Sequence, residues 1–324
     1  MARPKTEKLV TLIGGSGFIG RHIVRALARE GYRVRVACRR PDLAGHLQPL
    51  GNLGQIQMIQ ANIRYPESLE AACRDSFAVI NLVGLLANSG AQTFDACHVD
   101  GAEACARAAK SAGAEVFVQM SAIGADLESA ANYAETKAEG EQRAAGHFPG
   151  ATILRPSIVF GPEDGFFNKF AAMARFSPAL PLIGWGVTRF QPVFVGDVAK
   201  AVTAILASKD KQGKIYELGG PEVFSFKQLL EYVLETTHRS RLLVPVPFAI
   251  AKIKAMFLQL IPGAPLTVDQ VRLLEQDNVV SEEAGSESRT LQGLGIEPEG
   301  IEAIVPQYLA RYRAAGQFDE AKTA

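Results

Sequence analysis

Short apolar runs alternate with longer helix-forming segments over the first half of the chain. Lys8 to Ile13, Arg33 to Cys38, Gln57 to Gln60, Ala78 to Leu82, Val116 to Met120 and Thr152 to Leu154 read as strands. Between them Arg21 to Glu30, closed by Gly31, and Gly101 to Ala112, closed by Gly113, read as helices, as does Asn132 to Ala145. Strands alternating with helices at this rhythm predict a parallel sheet covered on both faces.

After Arg155 the rhythm breaks. Pro156, Pro162, Pro178, Pro181 and Pro192 punctuate irregular stretches, which predicts a smaller second lobe. Pro192 to Leu206 and Lys214 to Leu218 look like returns to the sheet, so the lobes are interleaved. The pattern as a whole predicts an α/β fold: a Rossmann-type doubly wound parallel sheet with a smaller interleaved C-terminal lobe. The sheet domain is expected over 1–160 with returns at about 190–218, the smaller lobe over 161–189 and 219–316, and a frayed polar tail over 317–324.

Composition narrows the function classes. The chain has 324 residues, of which 48% are hydrophobic and 21% charged, an ordinary balance for a globular protein with a full core. Its 34 basic and 34 acidic side chains cancel, which removes the footprint of a general nucleic-acid binder. The cysteines Cys38, Cys73, Cys97 and Cys105 show no C-x-x-C spacing and read as free thiols in a reducing compartment. The five histidines are scattered without H-E-x-x-H spacing, so no metal site is expected. The basic N-terminus runs directly into a strand with no apolar signal core, and no apolar window is long enough to span a membrane. Leu242 to Ile261 comes nearest, interrupted by Pro245, Pro247, Lys252 and Lys254. It reads either as a helix buried in the core or as a surface for a partner or a membrane interface.

The sharpest local signal is Gly14-Gly15-Ser16-Gly17-Phe18-Ile19-Gly20, between the first strand and the first helix. Gly14 permits the tight turn, Gly17 lets the backbone approach a pyrophosphate, and Gly20 lets helix and strand pack closely. The amides and positive end of the following helix would hold the phosphate charge. The next strand ends Cys38-Arg39-Arg40, with no acid until Asp42. Two guanidinium groups suit a ribose 2′-phosphate, which favours NADP(H) over NAD(H). Asn62 is a candidate for the adenine amino group and Val83-Gly84 for close passage of the adenosine ribose, and both read equally well as turn chemistry.

Tyr133 and Lys137 form Y-x-x-x-K on a predicted helix and share one face. A nearby cation lowers the pKa of a tyrosine, and the lysine can also hold the nicotinamide ribose. Ser121, just past the fifth strand, is placed to hydrogen-bond a substrate carbonyl. An exposed surface pair would show the same spacing. Asp100 and Asp197 precede helical runs and read as N-caps, and Trp185 between two glycines reads as packing.

Together GGSGFIG, YAETKAEGE, LRPSIVFGPED and FQPVFVGDVAKAV, in that order, resemble the extended short-chain dehydrogenase/reductase superfamily. The resemblance adds Pro156 to the expected cofactor contacts. INLVG at 80–84, FNKFAAMARFSPALPLIGWG, QPVFVGDV and PVPFAIAKIKAMF resemble one atypical branch: the NADPH-binding accessory subunit of respiratory complex I and its bacterial relatives. The branch implies a chiefly structural NADPH and a position beside complex I subunits near the membrane surface, here through 242–261. The lack of a convincing transit peptide adds the expectation of a cytoplasmic protein or one peripheral on the cytoplasmic face of the inner membrane. Three features depart from the enzymes of the superfamily. Ser121 lies only twelve residues before Tyr133, His98 stands where an asparagine is usual, and Asn62 stands where an aspartate is common. The alternative reading is a free-standing NADP-dependent reductase or epimerase acting on a small carbonyl or sugar nucleotide.

Overall fold

The computed structural model describes residues 4–261 and 266–314, so the expected tail at 317–324 lies outside the described residues. The chain divides into two units: 1–156 with 196–218 and 281–297, and 157–195 with 219–280 and 298–324.

The first unit is built on a seven-stranded sheet. Strands β1 (Leu9–Ile13), β2 (Arg33–Cys38), β3 (Ile56–Gln60), β4 (Ala78–Asn81), β5 (Val116–Met120) and β6 (Thr152–Pro156) are joined at the far edge by the strand Ile215–Leu218. The order runs Ile215–Leu218, β6, β5, β4, β1, β2, β3, and every pairing is parallel. The order reverses beside β1, and in open α/β sheets the crevice at such a switch point is where ligands bind. β1, β4 and β5 are buried along their whole length, as unbroken apolar runs demand when helices cover both faces.

Helices α1 (Phe18–Arg29), α2 (Pro66–Cys73), α3 (Asp100–Ser111) and α4 (Asn132–His147) cross between the strands. The first starts three residues before the sequence pattern suggests, immediately after Gly17. Small side chains let α3 approach the sheet and α4: Ala102, Ala104, Cys105, Ala106, Ala108 and Ala109 are all buried. The four cysteines are free and buried. A π-helical segment, Asp95–Val99, leads directly into α3, so Asp100 lies inside a continuous helix and is not its N-cap. Asp197 likewise sits within the helix Val195–Ala207, fully buried, with Lys200 at 2.8 Å.

Ser281–Glu297 belongs to the sheet unit, although its polar sequence places it in the smaller lobe. The reason is a set of bonds to the edge strand. The Ser281 N–H donates to the Glu217 carboxylate at 2.7 Å, the Glu217 N–H donates to the Arg289 carbonyl at 2.9 Å, and Arg289 donates to the Ile215 carbonyl at 3.1 Å.

In the second unit, helices Phe167–Phe176, Phe226–Thr236 and Ile301–Leu309 enclose an aromatic cluster that includes Phe160, Phe166, Phe190 and Phe226. Asp164 is buried there and accepts hydrogen bonds from the Tyr308 hydroxyl at 2.5 Å and from three backbone N–H groups. Leu242–Val246 pairs in parallel with Ala179–Ile183, and Phe248–Leu258 follows as a helix. Only Ala251 and Ala255 of that helix are buried, so the 242–261 run is a surface and not a core helix. Trp185, at φ 61° and 62% exposed, does not pack inside either.

Candidate functional site

The glycine turn divides its labour in a way the backbone makes plain. Gly14 is in the left-handed region at φ +80°, and a Cβ there would lie 2.9 Å from the Val83 side chain. A Cβ on Gly20 would lie 2.4 Å from the Gly15 carbonyl oxygen, so the bare helix is what lets α1 sit on the turn. Gly17 differs: a Cβ there would meet nothing nearer than the Gly14 oxygen at 3.5 Å. Gly17 is therefore not demanded by internal packing. It caps α1, whose first turn (Phe18, Ile19, Gly20) presents N–H groups with no side-chain cap hydrogen bond to the N-cap residue. Ser16 lies beside Cys38 at the end of β2, where burial raises the thiol pKa and the Ser16 hydroxyl offsets only part of that rise.

Arg39 and Arg40 are both exposed at the end of β2. Arg40 is engaged by its neighbour: it donates to Asp42 through Nε at 2.9 Å and through a terminal nitrogen at 2.7 Å. Asn62 uses its side-chain oxygen to accept from the Arg64 N–H at 3.2 Å, and its carbonyl accepts from Ser68 and Tyr65. Its local role is thus the turn that starts α2. Val83 is likewise held by local bonding, its N–H donating to Asn81 at 3.1 Å.

A second group gathers at the C-terminal ends of β4 and β5. Lys137 is buried, and its ammonium donates to the Met120 carbonyl at 3.3 Å. Burial pushes its pKa down to about 8, against a smaller upward pull from Glu141. A Cβ on Gly84 would lie 3.2 Å from the ammonium nitrogen, so the absence of a side chain at 84 makes room for that group. Tyr133 is half-buried, edge-on to the rings of Phe94 and His98. Ser121 is buried at the end of β5, and its hydroxyl has no hydrogen-bond partner among the described residues. A buried hydroxyl without a partner costs free energy unless something else satisfies it. Pro156 ends β6, with its carbonyl accepting from Ile123 at 3.0 Å.

Of the residues that hold this group in place, the sequence marks His98 only as a departure from the superfamily's usual asparagine, and Thr136, Asn81 and Gln119 pass unremarked. His98 accepts from the Leu85 N–H through Nε2 at 2.9 Å, and its Nδ1 lies 3.1 Å from the Thr136 hydroxyl. An Nε2 that accepts must be unprotonated, so the neutral ring carries its proton on Nδ1 and donates to Thr136. Burial lowers its pKa to about 3, reinforced by the charge of Lys137 and opposed by the Leu85 bond. Asn81 donates to Gln119 at 2.9 Å, and Gln119 donates to the Met120 carbonyl that Lys137 also uses. A polar pair inside two wholly buried strands, Asn81 and Gln119, was the signal available in the sequence.

The glycine turn, the unpartnered Ser121 hydroxyl and the buried Lys137 ammonium fit a dinucleotide. Sheet order and site together define a Rossmann-type protein of the short-chain dehydrogenase class. The chain belongs to the NAD dependent epimerase/dehydratase family, whose model matches residues 10–219. It is similar to subunit 9 of the mitochondrial NADH dehydrogenase (ubiquinone) 1 alpha subcomplex of Arabidopsis thaliana, with 33% identity over 95% of this chain and 79% of that protein. The Mus musculus subunit 9 is 32% identical over 98% of this chain and 84% of its own. Among solved structures, the dTDP-glucose 4,6-dehydratase of Streptomyces venezuelae shares the fold, with a TM-score of 0.71, 19% identity and coverage of 94% and 96%.

Proposed function

We propose that this protein is an NADP(H)-holding accessory or assembly component of an NADH:quinone oxidoreductase, with a chiefly structural cofactor. The observation that carries the reading is similarity to subunit 9 proteins along essentially the whole chain, second unit included. The family model ends at residue 219, so similarity beyond it is not explained by dinucleotide binding alone.

In this reading the N–H groups of Gly15 to Gly20 and the start of α1 hold the pyrophosphate. Gly14, Val83 and Gly84 leave room for the ribose, and Asn62 and Pro156 line the site. Arg39 supplies charge for a 2′-phosphate, and Lys137 and Tyr133 hold the nicotinamide ribose. The dinucleotide, when bound, could supply or accept a hydride. Docking falls to 242–261. Leu242, Phe257 and Leu260 are 72%, 68% and 78% exposed, and no acidic residue occurs between Glu235 and Asp269, while Arg239, Arg241, Lys252 and Lys254 do. An exposed apolar face of this kind, with Lys252 of its helix paired to Glu275 at 2.8 Å, suits a membrane surface beside the complex, on its cytoplasmic side. No helix among the described residues is long and apolar enough to cross a membrane.

The test is native-gel migration of the tagged protein from mildly solubilised membranes, with an in-gel NADH dehydrogenase stain. Comigration with the stained complex supports the reading, and migration only at the size of the free protein sinks it.

One observation favours a second reading, a free-standing reductase or epimerase. The Lys137 ammonium lies 5.9 Å from the Tyr133 ring centre and donates to the carbonyl of Met120, next to Ser121, so a cation stands beside the candidate acid/base tyrosine. Substrate screening with NADPH tests it, with Tyr133→Phe as the control. Activity that survives that substitution would remove Tyr133 as the proton donor.

A further inference from the structure

We propose that Arg155 is a positioning residue for Lys137: by holding both oxygens of Glu141 it keeps that carboxylate from pairing with the Lys137 ammonium, which stays free to meet the cofactor. The inference rests on the reading above in which Lys137 holds the nicotinamide ribose.

Lys137 and Glu141 lie one turn apart on α4, both buried, so their side chains share a face. A buried ammonium and a buried carboxylate at this spacing gain by pairing directly. They do not pair. The ammonium donates to the Met120 carbonyl at 3.3 Å, and both oxygens of Glu141 accept from Arg155, through Nε at 2.9 Å and Nη2 at 2.6 Å. A guanidinium fork matches a carboxylate in two bonds, which a point-like ammonium does not. Arg155 lies on β6, where the sheet register sets it opposite Glu217 of the edge strand. Its Nη1 is 3.9 Å from the Glu217 carboxylate, which also accepts from the Ser281 N–H at 2.7 Å. Four charges of alternating sign, Lys137, Glu141, Arg155 and Glu217, therefore run from the site to the sheet edge and cancel as a set.

The other groups around the ammonium bring no competing anion. Tyr133 of α4 presents its ring at 5.9 Å, and His98 at the start of α3 is neutral. Gly84 and Ser121 come from the ends of β4 and β5, and the Asn81–Gln119 pair behind them is uncharged. Asp126, past β5, favours the charge of Arg155. Burial lowers the pKa of Lys137 to about 8, and the pull of Glu141, which Arg155 shares, recovers only part of the loss. An ammonium has three donors, of which the Met120 carbonyl uses one. With Glu141 held by Arg155, the other two are left for ribose hydroxyls. A direct pair with Glu141 would take one of them and draw the ammonium along α4, away from β5.

The experiment follows the Lys137 Cε signal by NMR of the full chain labelled with ¹³C-lysine, the signal being the one lost in Lys137→Met, and titrates the same proteins with NADPH at a series of pH values. In the wild type the signal should titrate near pH 8, and NADPH affinity should begin to fall there. Arg155→Gln releases Glu141 to the ammonium, so the NMR midpoint should rise to about 9 or above and NADPH binding at neutral pH should weaken about fivefold. Glu141→Gln removes the anion and should move the midpoint the other way, to about 7 or below. Arg155→Lys, which keeps the charge, should give a midpoint between wild type and Arg155→Gln. The double variant Glu141→Gln with Arg155→Gln leaves no carboxylate at 141 to release and stands in if Arg155→Gln does not fold. Its midpoint should lie close to that of Glu141→Gln, because Arg155 acts through Glu141. A double variant that titrates well above Glu141→Gln, or single variants that shift the midpoint in the same direction, would overturn the proposal. Midpoints that move as expected while NADPH affinity ignores both pH and the variants would instead sink the reading that Lys137 holds the ribose.

Discussion

The backbone N–H of Leu85, just past β4, donates to Nε2 of His98 at 2.9 Å. That bond joins the loop that follows β4 to the start of α3, and the opposite nitrogen carries the link on to Thr136 of α4. Thr136 passes its own proton to the Asn132 carbonyl at 2.7 Å. Three elements that frame the lysine are thus tied by one neutral ring. Protonation would turn the Nε2 acceptor into a donor facing another donor.

An acid-limb prediction comes from that geometry. The folded pKa of His98 is near 3, well below the ordinary value for histidine. As pH falls from about 6.5 toward 3, the unfolded chain takes up a proton that the folded chain refuses. Stability is therefore complete above pH 6.5 and falls through that window, by up to about 4 kcal/mol. His98→Asn should flatten the difference. Urea denaturation at a series of pH values checks this, and an unchanged slope between pH 6.5 and 4 in the variant would refute it.

Lys137 has the same linkage sign in a higher pH window. Burying its ammonium costs stability at every pH below about 8, and that cost fades as pH rises from 8 to the ordinary lysine value of 10.5. The Met120 carbonyl it uses is also satisfied by Gln119 at 3.2 Å, so removing the lysine orphans no acceptor. Lys137→Met should raise thermal stability at pH 7 by roughly 1–3 kcal/mol, about 2–8 °C. It should also weaken dinucleotide binding by about tenfold or more. A variant that both melts lower and binds normally would show that Lys137 is structural.

The glycine turn allows fold and ligand to be separated. Gly20→Ala drives a methyl to 2.4 Å from the Gly15 carbonyl, between two backbones that cannot both move away, and should cost about 2 kcal/mol or more. Gly17→Ala meets only the Gly14 oxygen, at an ordinary contact of 3.5 Å and at an ordinary φ of −78°, so the variant should fold with wild-type stability. Because a pyrophosphate would lie beside Gly17, Gly17→Ala should still weaken NADPH binding about tenfold. Melting curves and cofactor titrations on the two variants decide it, and full binding by Gly17→Ala would place the phosphates elsewhere.

What the sequence discloses follows from whether a signal is local. β1 with its glycine turn, and the strand–helix alternation up to β6, lie in contiguous runs, and the sheet follows from them. The Tyr133/Lys137 spacing is also local, and the structure brings that pair together with Ser121 and Gly84. His98 stood out only as a replacement for the usual asparagine, and its role was illegible because its partners Leu85 and Thr136 lie 13 and 38 residues away. Ser281–Glu297 was misplaced for the same reason, since single bonds to Glu217 and Ile215 bring it to the sheet edge. Leu242 to Ile261 was ambiguous because an apolar run does not say which of its faces finds a partner. Its first part is a strand in a two-stranded pairing, which tolerates Pro245 where a central strand would not.

That run supports the last prediction. Ile250, Ile253 and Phe257 recur on one face of the helix Phe248–Leu258, opposite the buried Ala251 and Ala255, and Leu260 and Ile261 extend it. Beside it the loop Gly184–Gly186 packs against Phe248, since a Cβ on Gly184 would strike that ring. The loop holds Trp185 outward in a left-handed conformation that bulky residues avoid. Exposed apolar side chains of this size gain about 1.5–3 kcal/mol each when fully removed from water. Phe257→Asp and Ile253→Asp break no buried contact and should leave folding and NADPH binding intact. Each should lower the membrane-bound fraction several-fold in flotation with vesicles containing anionic phospholipid, and the double substitution should abolish it. Retention of full vesicle binding by the double variant would move the docking surface away from this helix.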